Sequence, residues 1–298
     1  SSSGDQLSRS RRKRRKSSVT PDVSNGRSDT QNVAAARIAD LVDQLSNEAQ
    51  IFFDMEDIES SLDIHDIRPF ENVLVQECLL SNALVNEILR SIQELKMGLQ
   101  GELTMTKDME LLAENLAIDA VPASWSNMSY PTQRSLPSWL MDLKLRIDQL
   151  QDCVARGLQL PMVTWISGLF NPVSFLTAVL QTHARSTKTE FDTLTTTTEV
   201  LKRQIADISQ QAKQGNYLTG LHLEGARWDL MAGNLVTSYP KQMFSKMPVV
   251  LVKAVVAAED PSLSKQAARQ TYLCPVYRTT RRSGTYVFTV NLKTKGPP

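Results

Sequence analysis

Apolar residues follow two different spacings along this chain. Up to about residue 187 they recur at three- and four-residue steps, and after that they alternate or run together. Ile38, Leu41, Val42, Leu45, Ala49 and Phe52 fall on one helical face, predicting a helix within 33–67. Pro69 punctuates, and a long helix follows with Val73, Leu74, Leu80, Leu84, Ile88, Ile92, Leu95 and Leu99 in register. Gly98 and Gly101 bracket its end, as glycines at helix C-termini do. A third, short helix starts near Thr106, with Asp108 and Glu110 in the first turn, where the helix dipole favours negative charge. Val121-Pro-Ala-Ser-Trp125 and Ser129-Tyr-Pro131 form a Pro/Ser-rich connection, the best internal boundary. A fourth helix begins at Pro137 and carries Leu140, Leu143, Ile147, Leu150 and Val154 before Gly157 ends it. A fifth opens with Asn171 as N-cap and Pro172 at its first position, burying Phe175, Leu176, Val179 and Leu180.

Beyond Thr187 the β-branched run Thr193 to Thr198 suits a strand, with a helical turn or two after it through Leu201 to Ile208. Tyr217, Thr219, Leu221 and Leu223 alternate with a more polar set. Val249 to Val256 is almost continuously apolar, predicting a strand covered on both faces. Tyr272 to Thr279 and Thr285 to Lys293 read as a hairpin turned by Arg281-Arg282-Ser283-Gly284. In its second arm Tyr286, Phe288, Val290 and Leu292 alternate with Thr285, Thr289 and Asn291, and Pro275 implies an edge position or bulge in the first. Helices first and strands afterwards predict an α+β fold, not alternating βαβ units.

Composition is that of an ordinary globular protein, 41% hydrophobic and 22% charged over 298 residues. The net charge of +1 conceals an asymmetry: residues 1–30 carry +5 and the remainder −4. Residues 1–32 lack apolar periodicity and predict a disordered basic tail or insertion. Cys78, Cys153 and Cys274 are odd in number and widely spaced, which argues against a disulfide framework and for a reducing compartment. The first thirty residues lack the apolar core of a signal peptide. Gly157 to Ala184 contains no charged residue, but Gln159, Pro161, Asn171 and Pro172 interrupt it, so it reads as a segment buried in protein, with no membrane span.

Motifs for chemistry are sparse. No G-x-x-x-x-G-K-[ST] loop is present to cradle phosphates, and no dinucleotide fingerprint, so no cofactor-binding residue is expected. His65, His183 and His222 are as scattered as the cysteines, so no metal site is expected. Cys153 lies near an apolar stripe and reads as inert packing, not as a nucleophile. His222 and Glu224 share one strand face and could form an acid/base pair, against the blander reading of a rim pair. The basic run Arg11-Arg-Lys-Arg-Arg-Lys16 could bind nucleic acid, act as a nuclear signal or touch acidic tubulin surfaces, and Ser17 and Ser18 after it resemble a basophilic kinase site. A solvated loop is the competing reading, and the lack of interleaved aromatics argues against nucleic acid. Met97, Met105, Met109, Met162 and Met243 read as core filler, and Trp125, Trp139, Trp165 and Trp228 as pins near element boundaries.

Two strings carry a resemblance. They are Tyr217-Leu-Thr-Gly-Leu-His-Leu-Glu-Gly-Ala-Arg-Trp-Asp229 and Tyr272-Leu-Cys-Pro-Val-Tyr-Arg-Thr-Thr-Arg-Arg-Ser-Gly-Thr-Tyr-Val-Phe-Thr-Val-Asn-Leu-Lys-Thr294. With Asn72-Val-Leu-Val-Gln-Glu77, Gly101-Glu-Leu-Thr-Met-Thr106, Trp165-Ile-Ser-Gly-Leu-Phe-Asn-Pro-Val-Ser-Phe-Leu-Thr177 and Met247-Pro-Val-Val250, they resemble, in order, the C-terminal region of axonemal dynein heavy chains. The signature positions are Trp125, Trp165, Asn171, Pro172, Gly220, Gly225, Arg227, Trp228, Pro248, Cys274, Pro275 and Tyr277, all structural, with no catalytic residue among them. The resemblance implies a helical segment over 33–120 adjoining the sixth AAA+ module. A helical part over 121–188 and a β-rich, antiparallel, barrel-like part over 189–298 would follow. It implies a non-catalytic module bracing the AAA+ ring of a minus-end-directed microtubule motor in the ciliary or flagellar axoneme, with cytoskeletal and cytoplasmic location. ATP and Mg would be bound elsewhere in the parent motor, and the partners would be AAA+ modules of the same heavy chain, other dynein subunits and microtubules. Family members continue past Asn291-Leu-Lys-Thr294 into another apolar strand, whereas this sequence stops at Gly296-Pro-Pro298, as a piece of a heavy chain would. The competing readings are a free-standing helical adaptor presenting residues 33–100 to partner helices, and an enzyme built on His222 and Glu224.

Overall fold

A computed structural model describes residues 33, 35–38, 52–63, 65–201, 205–259, 271–281 and 284–294. The basic run with Ser17 and Ser18, and Leu41, Val42, Leu45 and Ala49 of the expected first helix, lie outside the described residues, as do Arg282, Ser283 and Gly296-Pro-Pro298. Within 33–67, residues 35–38 are helical and a separate short helix spans Met55–Ser60, capped by the Asp54 carboxylate.

The long helix Pro69–Leu99 organises the helical part. Pro69 occupies its first turn, where the missing N–H has no partner to lose. Glu71 Oε2 accepts the Arg68 N–H at 2.7 Å. Leu74, Cys78, Ser81, Val85, Ile88, Ile92 and Leu95 are buried at alternating steps of four and three, a seam wide enough for helices on more than one side. Leu80, expected on that stripe, is exposed, together with Leu79. At the C-terminus the Gly101 N–H donates to Gly98 O at 3.1 Å and the Glu102 N–H to Met97 O at 2.9 Å. Gly101 takes φ +78°, the left-handed residue such a two-bond cap requires. Helices Lys107–Ala117, Ala123–Met128, Leu136–Ala155 and Pro172–Thr187 pack around this seam. The helix expected from Pro137 begins one residue earlier, at Leu136.

The α+β class holds, but the strands do not close into a barrel among the described residues. They form a four-stranded sheet in the order β1 (Val163–Trp165), β3 (Asn216–Thr219), β8 (Val250–Val256), β2 (Leu194–Val200). A second sheet runs β10 (Tyr286–Lys293), β9 (Thr271–Tyr277), β4 (His222–Glu224), β7 (Phe244–Lys246), and β5 (Ala226–Asp229) pairs with β6 (Asn234–Thr237). Nor is the pairing wholly antiparallel. β1 lies between two helices in sequence and pairs parallel with β3, Val163 opposite Tyr217, which also breaks the expected order of helices first and strands afterwards. Helix Pro172–Thr187 bridges the long helix to β2 and β8.

Three strand segments differ from the sequence expectation. Tyr217 to Leu223 is two strands in two sheets, separated at Gly220 with φ +90°. The break reverses the phase, so Leu218 is buried along with Leu221 and Leu223, while Tyr217 and Thr219 are half-buried. In β10 a register shift between Tyr286 and Phe288 turns Tyr286 outward and Val287 inward. In β8, Val250, Val252 and Ala254 are buried and the residues between them half-buried, so one face is closed and the other partly covered. Pro275 meets its expectation: β4 pairs only with Val276 and Tyr277, leaving β9 open on that side at the proline.

Candidate functional site

The residues with the most constrained geometry gather where the helices meet the sheets. Trp165 ends β1, with its backbone held by one side chain. The Trp165 N–H donates to Gln149 Oε1 at 2.8 Å, and Gln149 Nε2 donates to Trp165 O at 3.3 Å. Its indole lies between two glycines. A Cβ on Gly168 would fall 2.4 Å from Trp165 Cε3, and one on Gly220 would fall 2.2 Å from Cδ1. Ser167 Oγ donates to Gly220 O at 2.6 Å, tying the turn after β1 to the end of β3.

Just beyond, the loop Leu169–Asn171 is clamped from both sides. Glu77, buried in the long helix, accepts the Phe170 N–H at 2.5 Å and the Asn171 N–H at 2.7 Å. Arg278, following β9, donates to Phe170 O at 3.3 Å and to Leu169 O. One turn of the backbone is thus held through its N–H groups by a helix and through its carbonyls by a hairpin. Burial pushes the Glu77 carboxyl up; the two backbone N–H bonds and the charges of Arg278 and Arg146 oppose this without overcoming it. Burial, helped by Arg146, pulls Arg278 down to about 10.

A second buried pair stands beside the clamp. Arg146 Nε donates to Asp142 Oδ2 at 2.9 Å, and Arg146 Nη1 donates to Ser167 O at 2.8 Å. The guanidinium sits 3.4 Å from the Tyr130 ring centroid and 5.1 Å from that of Trp165. Arg134 approaches the other oxygen of Asp142 at 3.3 Å. Burial drives the Tyr130 hydroxyl up, so it stays protonated.

The structure distributes the twelve signature positions as follows. Trp125 is fully buried, donates to Ser91 Oγ at 2.9 Å and stacks on Trp139 at 6.1 Å. Asn171 Oδ1 caps its helix by accepting the Ser174 N–H at 3.3 Å, and Pro172 is buried in the first turn. Trp165, Asn171, Pro172 and Gly220 belong to the junction, and Tyr277, one residue before Arg278, pairs with His222. Gly225 takes φ +67° and donates to Met243 O at 2.7 Å. Arg227 lies 4.3 Å over the Tyr239 ring, and Trp228 and Pro248 line a separate surface pocket with Met247. Cys274 is buried and Pro275 half-buried in the second sheet.

Other expected features resolve plainly. All three thiols are free and buried, with Cys78 and Cys153 pushed up to about 12 and Cys274 to about 11 by desolvation. Met109 is core filler, but Met162 and Met243 are exposed, on surfaces the sequence pattern could not distinguish from core. His222 pairs across strands with Lys246, and its Nδ1 is buried without a hydrogen-bond partner. Among the described residues no group of His, Cys, Asp and Glu converges so as to hold a metal, and no helix is long and apolar enough to cross a membrane.

Glu77, Asp142, Arg146 and Arg278 were not singled out from the sequence. The available signal was a carboxylate within an apolar stripe, Glu77 beside Leu74 and Cys78. Another was the four-residue spacing of Asp142 and Arg146, in step with Leu143 and Ile147.

In this arrangement a helical bundle meets open sheets at a junction held by ionisable groups on facing elements. Residues 4–298 match the family model for the C-terminal domain of dynein heavy chains, and the protein belongs to that family. It is 44% identical over 256 residues to the dynein beta chain of the flagellar outer arm from Chlamydomonas reinhardtii, covering 86% of this chain and 6% of that relative. To dynein axonemal heavy chain 11 from Sus scrofa it is 44% identical over 227 residues, 76% of this chain and 5% of the relative. To the ciliary dynein beta chain of Tripneustes gratilla it is 39% identical over 259 residues, 87% of this chain and 6% of the relative. The sequence therefore spans about a twentieth of the length of the relatives it matches.

Proposed function

We propose that this protein is a non-catalytic bracing module of an axonemal dynein heavy chain, working in a cilium or flagellum. In this reading residues 33–120 adjoin the sixth AAA+ module, residues 121–188 and 189–298 form the helical and β-rich parts of the C-terminal domain, and residues 1–32 are a basic tail or insertion. The parent motor binds ATP and Mg²⁺ in other modules and moves on microtubules, and the module touches AAA+ modules of its own polypeptide and other dynein subunits. The signature residues serve packing, turns and caps.

The observation that carries the reading is the double clamp on Leu169–Asn171. A carboxylate from the long helix and a guanidinium from the hairpin hold one loop. Buried ion networks add little net stability, but breaking one member is costly, so they fix relative orientation more than they raise stability. Such a joint transmits load between layers without yielding. The adaptor reading needs the long helix to present an open seam, whereas among the described residues five helices pack against it.

The test is made in the heavy chain that carries this region. Glu77→Leu should leave ATP turnover within about twofold while slowing microtubule gliding, because the brace is loosened and the nucleotide sites are untouched. Steady ATP hydrolysis by the purified 298-residue protein, or unchanged gliding of a heavy chain lacking the region, would refute the proposal.

A further inference from the structure

A pocket of about 370 Å³ opens between the Pro131–Arg134 loop, the start of β4 and the facing ends of β9 and β10. Arg134, Arg278, Arg281 and His222 line it with four threonines, and no Asp or Glu does so among the described residues. We infer that this pocket is a binding site for a phosphoryl group, whether or not the module braces a motor.

The charges around the pocket do not balance. Two buried carboxylates, Glu77 and Asp142, serve this region, and Asp142 is already shared between Arg146 and Arg134. Among the described residues, the N–H groups of Arg278 donate to neutral carbonyl oxygens. Arg281 is exposed and makes no ion pair among the described residues. Three guanidinium groups therefore line the pocket with no lining carboxylate among the described residues, and their positive charge meets solvent in a half-enclosed cavity, where screening is weaker than on an open surface.

Hydrogen-bond donors are in excess as well. A guanidinium carries five N–H donors in a fixed fork, so Arg134 retains donors beyond its 3.3 Å contact with Asp142. Thr132 Oγ1 accepts the Arg134 N–H at 3.2 Å, which leaves the hydroxyl proton available to an occupant. His222 is neutral at pH 7, its pKa lowered chiefly by burial, and adds polarity without charge. A phosphoryl dianion presents three acceptor oxygens and two negative charges to three lining guanidinium groups, one of which is already shared with Asp142. A single carboxylate offers half that charge and two oxygens. The volume accommodates either free phosphate or a phosphorylated side chain.

Isothermal titration of the purified protein at pH 7.5, with ionic strength held constant by sodium chloride, tests the site. Inorganic phosphate and O-phospho-L-serine are each expected to bind saturably, one per polypeptide. Tighter phosphoserine binding identifies a phosphorylated side chain as the natural occupant, and tighter phosphate binding identifies the free ion; both support the site. Arg281→Ala, outside the buried clamp, should weaken phosphate binding about tenfold, the loss of one charge-assisted contact, with an unchanged thermal midpoint. The proposal is overturned if phosphate does not saturate, if Arg281→Ala binds it equally well, or if glutarate binds as tightly as phosphate.

Discussion

Gly220→Ala probes the junction with the fewest side effects, because it adds a single methyl group. Gly220 has φ +90°, so any side chain there incurs the left-handed penalty, about 1–2 kcal/mol. The added Cβ would also lie 2.2 Å from Trp165 Cδ1, 2.5 Å from Nε1 and 3.3 Å from Ser167 Cβ. Unstrained carbon contacts are near 3.5–4.0 Å, so the indole must retreat by more than an ångström. Gly168 blocks its other edge and Gln149 holds its backbone, so the displacement becomes overpacking, about 1–3 kcal/mol more. Gly225→Ala supplies the control: φ is +67° and a Cβ there would meet nothing within 4 Å, so it carries the backbone penalty alone. The excess of the first variant over the second should be about 2 kcal/mol, roughly thirtyfold in the folding equilibrium. Urea denaturation followed by circular dichroism reads it as a lower midpoint. In a Trp165→Ala background the excess should vanish, as a double-mutant cycle requires of a direct contact. Equal midpoints for Gly220→Ala and Gly225→Ala would refute the reasoning, since the indole would then have room to move.

Two further outcomes are expected. Glu77→Gln leaves one buried N–H of Phe170 or Asn171 opposite an amide donor and should lower stability by about 1–3 kcal/mol, whereas Glu77→Leu orphans both and should cost more; denaturant midpoints give the ranking, and the reverse order would count against the clamp. His222, lowered by burial, binds fewer protons folded than unfolded, so its contribution is complete above its ordinary value near 6.5 and is lost as pH falls through its lower folded value; His222→Gln should flatten the thermal midpoint between pH 7 and 5, and an unchanged slope would show that the imidazole is not desolvated.

Much of the helical part was legible because its signals are local. The Gly101 stop, the Thr106 cap with its 3.3 Å bond from the Met109 N–H, and the Asn171–Pro172 start each lie within a few residues of what they control. Strand positions were legible for the same reason, since Thr193 to Thr198 and the terminal hairpin announce themselves by residue type. Strand phase was not. It depends on whether Gly220 bends the backbone and whether Val287 bulges, and both are decided by the surfaces the strands meet. The clamp was less legible still, because Glu77 and Phe170 are 93 residues apart and Arg278 and Leu169 are 109 apart. Periodicity can place Glu77 on an apolar face but cannot supply the N–H groups that make the position tolerable.

That separation bears on what the joint does. A contact between distant segments forms only when the helical seam, the turn after β1 and the hairpin have all reached their final places, because each alone leaves a buried charge or an N–H without a partner. Glu77 without the loop is a desolvated carboxylate, and Arg278 without it is a cation beside Arg146. The energy gained is therefore steep in relative position and small in total. A hydrophobic interface alone tolerates sliding, since burial is non-directional. Adding charged, geometrically demanding contacts at its centre converts a tolerant interface into one with a single register. The bracing role proposed above would draw on that property more than on extra stability.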